Sequence, residues 1–173
     1  MLGRTVRIRH GEYNRPMLEI ERKFLVSTEK FKEDAHSVTR IVQGFLNTQP
    51  ERTVRIRIRE GQGFITVKGK SNEEGTSRFE WEMEIPIVDA EALLKLCEEE
   101  VIDKIRYEVK AGDHIYEVDE FFRNNKGLII AEIELKSELE KFPKPAWLGK
   151  EVTGKREYFN SQLSKHPYKN WNE

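Results

Sequence analysis

Along most of this chain, apolar residues alternate one for one with charged residues, and within each stretch the charges tend to share a sign. Met17–Val26 shows the pattern first: Glu19, Glu21 and Lys23 take one side, Leu18, Ile20 and Phe24 the other. Period-two alternation is the signature of a β-strand. On such a strand the three charges stand at steps of roughly 7 Å. Two carboxylates followed by an ammonium can hold a hard divalent cation and an anion bound to it.

The alternation recurs in order down the sequence. Strands are predicted at Val38–Asn47 (broken by Gly44), Arg52–Arg59, Phe64–Lys70, Ser77–Ile87, Ile102–Lys110, His114–Phe122 and Leu128–Ser137. Glu60-Gly61-Gln62-Gly63 reads as a hairpin turn. Ser27–Ala35 is a short polar helix or turn. Asp89 caps a helix to about Glu99, with Ala90, Leu93, Leu94 and Cys97 on one stripe. A Pro-rich loop, Phe142–Trp147, leads to a last helix near Arg156–Lys165. About eight strands joined by short connections make an α+β, mainly β chain with an antiparallel sheet.

Basic pairs (Arg55/Arg57, Lys68/Lys70, Lys104/Arg106) and acidic pairs (Glu19/Glu21, Glu117/Asp119, Glu132/Glu134) segregate by strand. Glu80, Glu82 and Glu84 repeat the acidic pattern beside Arg78. Two arrangements fit. In one, the charged face is simply the wet face of an antiparallel sheet. In the other, the strands close into a barrel with charges inward, bringing acidic and basic strands face to face around a polar lumen. Like charges at i, i+2 repel unless a partner absorbs them, and a metal-bound polyanion would absorb both signs.

Composition narrows the setting. The 173 residues suit one domain with a real core, 35% are charged, yet the net charge is only −1. That balance argues against bulk capture of nucleic acid or of an anionic membrane surface. No apolar run reaches membrane-spanning length. A single cysteine, Cys97, fits a reducing cytoplasm. Residues 1–16 read as an extension outside a domain spanning 17–173, with an added edge strand as the alternative. Their RTVRIR at Arg4–Arg9 recurs at Arg52–Arg57 without further repetition.

Glu19-Ile20-Glu21-Arg22-Lys23 resembles the ExExK signature of the CYTH superfamily, the triphosphate tunnel metalloenzymes. Further segments are similar in family order: Gln43-Gly44-Phe45-Leu46, with Phe for the usual Tyr, Val54–Arg57, Thr66-Val67-Lys68, Asp103–Tyr107, Glu117-Val118-Asp119, Ala131–Leu135 and Glu151–Asn160. The resemblance runs from about Met17 to Pro167. It implies an eight-stranded antiparallel β-barrel, a tunnel with charged lumen and a few outer helices, binding a linear triphosphate with Mg2+ or Mn2+. Carried over, Glu19, Glu21, Glu132 and Glu134 are metal ligands or their immediate partners, and Glu117 and Asp119 serve a second metal or position water. Lys23, Arg55, Arg57, Lys68, Lys104 and Arg106 grip phosphates, with Arg156 (or Lys155) added from the last helix. Lys23, Glu19 and Glu21 carry catalysis.

The implied activity is metal-dependent hydrolysis of a linear triphosphate, inorganic tripolyphosphate first, to pyrophosphate and phosphate. Adenylate cyclase or thiamine triphosphatase chemistry on the same fold, and a polyphosphate-binding module without turnover, are the alternatives. A binder without turnover could lose Lys23, which is present here. The implied partner is the small-molecule substrate, without nucleic acid or membrane, and a homodimer stays open. His10, His36, His114 and His166 are scattered, and Cys97 reads as a core residue rather than a nucleophile.

Overall fold

The computed structural model describes residues 18–171. The readings for residues 1–17 therefore lie outside the described residues. Alternation builds nine strands in this region: β1 (Leu18–Val26), β2 (Ala35–Asn47), β3 (Arg52–Arg59), β4 (Gln62–Gly69), β5 (Ser77–Ile85), β6 (Glu98–Ala111), β7 (His114–Phe121), β8 (Ile129–Glu134) and β9 (Leu148–Glu151). Every pairing is antiparallel, in the order β5-β4-β3-β2-β6-β7-β8-β1-β9.

A further pairing of β5 with β1 closes eight of these strands into a barrel. Only Leu18–Ile20 pair with Ser77–Phe79 at this seam, and β9 continues alongside the rest of β1. The short β9 falls where sequence reading expected only a Pro-rich loop running on to the last helix.

Tight connections set the register. Glu60 and Gly61 have φ of 50° and 74°, so the β3–β4 hairpin turns on two residues rather than the four that the composition suggested. Positive φ at both positions matches the twist of paired strands, and glycine tolerates it best. Gly44 does not break β2 as expected. It lets the strand pass close to its neighbour: a Cβ there would lie 2.8 Å from Cys97 Sγ.

Three short helices lie around the barrel: α1 (Phe31–Asp34), α2 (Ile87–Leu94) and α3 (Asn160–Lys165). Helix α2 starts on Pro86 with no side-chain cap and stops at Leu94, so Asp89 is not its cap and Cys97 falls in the turn before β6. The strand signal of β6 begins at Glu98 and prevails there over helical spacing. The expected helix at Arg156–Lys165 is split: a 3-10 turn at Arg156–Tyr158 precedes α3.

Two apolar clusters flank the charge. Outside the barrel, Phe24, Tyr116, Val118, Ala131 and Ile133 pack with Phe31 of α1 and Trp147. Inside, Ile102 shares a strand face with Lys104 and Arg106, Phe121 with Asp119, and Ile130 with Glu132. These join Phe45, Leu128 and the fully buried Leu163 of α3, with Leu25 packed against them. The inward positions are thus charged along most of the lumen and apolar at one end, where α3 fills it.

Candidate active site

One cavity of about 540 Å³ occupies the charged part of the lumen. Glu19, Glu21, Lys23, Arg55, Arg57, Lys68, Lys104, Arg106, Glu117, Glu132 and Glu134 all line it, although they come from six strands. Asp113, His114, Lys136 and Glu140 mark its mouth, and Phe159 and Asn160 lie toward the filled end.

The charges pair mainly sideways, between neighbouring strands, rather than across the lumen. Lys23 and Glu132 are register partners on β1 and β8, and the ammonium donates to the carboxylate. Arg106 and Asp119 are register partners on β6 and β7; Nε and Nη2 of Arg106 each donate to that carboxylate at 2.7 Å. Arg106 also donates to Glu117. Arg55 reaches Glu82 at 3.1 Å, and Lys68 bonds Glu80 at 2.6 Å and Glu19 at 3.0 Å.

Asp119 does not line the cavity. It is 1% exposed and sits behind Lys104 and Arg106, receiving Lys104 Nζ at 2.6 Å. With both oxygens taken by these cations, it fixes the Lys104 and Arg106 side chains from outside the cavity lining.

Arg156 is exposed on its 3-10 turn, away from the cavity lining. The same segment delivers Asn160 instead, which accepts from Lys104 at 3.3 Å. A helix beginning at Arg156 would have placed different residues inward. Sequence reading also passed over Arg78, whose Nε donates to Glu19 at 3.0 Å and whose Nη2 lies 3.5 Å from Glu21. Its parity with Glu80 and Glu82 on one strand face was the available signal.

Burial and charge set the protonation of the site. Burial would raise the Glu19 carboxyl, but Lys68 and Arg78 outweigh it and hold the pKa below the usual carboxylate range. Glu132 is likewise held low against burial by Lys23, Arg106 and Lys104. Burial raises Glu21, and the neighbouring Glu132 and Glu19 add to the effect. Partial burial, with the Glu19 carboxylate beside it, pushes Glu80 up to about 7.

Arg57 stands apart: it makes no ion pair among the described residues. Burial, with Arg55 and Arg106 nearby, disfavours its charge. Its Nε and both amide atoms of its register partner Gln43 are buried without hydrogen-bond partners. An anion in the cavity would relieve that cation.

The family model of the CYTH domain matches residues 17–167. The chain belongs to the CYTH domain family. An inorganic triphosphatase of Acetivibrio thermocellus is 47% identical over 156 residues, covering 90% of this chain and 98% of the relative. An inorganic triphosphatase of Nitrosomonas europaea is 36% identical over 154 residues, covering 86% and 97%. A crystal structure of an inorganic triphosphatase superposes with a TM-score of 0.61 at 32% identity, covering 84% of this chain and 97% of the other. The closed antiparallel barrel is the CYTH fold. No helix among the described residues is long and apolar enough to cross a membrane.

Proposed function

We propose that this CYTH domain hydrolyses inorganic tripolyphosphate, with Mg2+ or Mn2+, to pyrophosphate and orthophosphate. The observation that carries the reading is the division of one cavity into a cationic wall and a carboxylate wall. Arg55 and Arg57 stand on β3 and Lys104 and Arg106 on β6, the two strands joined through β2, while Glu19, Glu21, Glu132 and Glu134 stand on adjacent β1 and β8. The two relatives named inorganic triphosphatase support the same substrate.

The carboxylate wall fits a hard divalent cation. Glu21 and Glu134 are register partners, so their side chains leave the sheet roughly 5 Å apart, and all four groups offer oxygen donors. Among the described residues no three such groups are already clustered for a metal, because protein cations hold them apart. A bound divalent cation would supply Lewis-acid polarisation of phosphate oxygens and a more acidic water.

The chain's own residues do the rest. Phosphoryl transfer depends on in-line placement and on neutralising charge spread over the phosphate oxygens. Arg55 and Arg57 bind from one side, Lys104 and Arg106 from another, with Asp119 holding the second pair in place. Lys23, 4% exposed between Glu21 and Glu132, stands within the carboxylate wall and can bind the phosphoryl group being transferred.

A phosphate-release screen over tripolyphosphate, pyrophosphate, ATP and thiamine triphosphate, each with Mg2+ and Mn2+, tests the proposal. Preferred release from tripolyphosphate is expected. Cyclic AMP and pyrophosphate from ATP would replace it with a cyclase reading, and binding without turnover with a polyphosphate-binding one.

A further inference from the structure

Arg78 occupies the place a metal would take. Its β5 position is in register with Glu19, and the one guanidinium spans two carboxylates, with Nε on Glu19 at 3.0 Å and Nη2 3.5 Å from Glu21. The other cations on this wall have further anchors: Lys23 also holds Glu132, and Lys68 also holds Glu80. Among the described residues, Arg78 makes ion pairs only with Glu19 and Glu21. It lines the cavity.

We propose that Arg78 is a resident counter-ion that a divalent cation displaces from Glu19 and Glu21, and that its release presents a new guanidinium to the triphosphate. The inference rests on the triphosphatase reading and adds a positioning residue to it. Glu19 and Glu21, on holding a divalent cation, would no longer be free to accept from Arg78. The freed side chain is then a cation without a partner, inside a cavity built for a polyanion, and phosphate oxygens accept its forked donors. Metal binding thereby favours triphosphate binding and, by reciprocity, triphosphate favours metal. Without metal, Arg78 keeps like-charged Glu19 and Glu21 compatible with a folded barrel. Without Arg78, Glu19 keeps only Lys68 and Glu21 only Lys23, and the two carboxylates take the metal alone more readily.

The decisive measurement is Mn2+ binding to the full chain by electron paramagnetic resonance, without phosphate and then with non-hydrolysable imidotriphosphate. Arg78→Gln is expected to bind Mn2+ alone about tenfold more tightly than the unsubstituted protein, within the usual range of coupling between two sites. The factor by which imidotriphosphate tightens Mn2+ binding should shrink in the same variant. Arg78→Lys keeps the charge but not the fork and should fall between. Mn2+ binding that is unchanged or weaker in Arg78→Gln overturns the assignment, because a seam-stabilising arginine would behave that way.

A second readout needs no destabilising variant. In the unsubstituted protein, the Nε–H resonance of Arg78, identified by its loss in Arg78→Lys, must shift on adding Mg2+ before any phosphate is present. A resonance that stays still also overturns the proposal. If the unsubstituted protein binds no Mn2+ even with imidotriphosphate, the triphosphatase reading itself falls. Normal binding there with an unaltered Arg78→Gln sinks the Arg78 role alone.

Discussion

Arg106 grips Asp119 with two parallel hydrogen bonds of 2.7 Å, and the carboxylate that receives them is 1% exposed. The pair is a foundation for the cationic wall, and it makes the wall dependent on a residue outside the cavity lining. Replacing one member of a buried ion pair leaves the other uncompensated, at about 3–5 kcal/mol. Asp119→Asn should therefore lower the melting temperature sharply. Added tripolyphosphate should restore part of the loss, since it returns negative charge to Lys104 and Arg106. Calorimetry with and without the anion checks both halves.

Glu21→Gln should separate activity from folding. Glu21 is raised by burial and by two neighbouring carboxylates, so its negative charge is a burden to the empty barrel. Removing that charge is expected to leave the thermal melt in place while phosphate release falls to background at every Mg2+ concentration. Turnover that survives would take Glu21 out of the metal site.

Arg57 has no ion pair to lose among the described residues, and Arg55 and Arg106 repel it. Arg57→Ala should leave stability equal or higher. It should raise the KM for tripolyphosphate about 10- to 150-fold, which corresponds to one charge-assisted contact of roughly 1.5–3 kcal/mol. A matched steady-state and denaturation series reads the two effects, which carry opposite signs.

Burial, helped by Arg106 against Asp119, pushes the Lys104 ammonium down to about 8. The folded protein thus releases this proton at lower pH than the unfolded chain does. Between pH 8 and the ordinary lysine value, the Lys104 contribution to stability rises with pH. Under the proposed function phosphate affinity is expected to move the other way, because the ammonium proposed to bind the anion is lost. KM should climb above pH 8 while the ligand-free protein does not weaken on this account. Lys104→Arg, whose charge persists, should flatten the climb.

Much of this site was legible because strands impose strict alternation: knowing that Glu19 faces inward places Glu21 and Lys23 as well. What the alternation could not supply was who sits beside whom. The lumen charges are matched mainly by neighbouring strands, as in Arg106–Asp119, because register is set by turns such as Glu60–Gly61 and by bulges that leave little trace in composition. The family resemblance implied a second metal or a positioned water at Asp119, and only burial shows it behind Lys104 and Arg106. Arg156 was misplaced for a different reason: a single 3-10 turn shifts the start of α3 and exchanges it for Asn160. Gly44 was read as a strand breaker, yet its lack of a side chain serves the approach of Cys97.

The apolar end of the lumen has a kinetic meaning. Leu163, Phe121, Ile102 and Ile130 stopper the barrel where α3 docks, so the cavity is a cul-de-sac with its mouth at His114 and Glu140. Under the proposed hydrolysis, substrate and both products would share one doorway, so the outer fragment is expected to leave before the deeper one and, added in bulk, to inhibit.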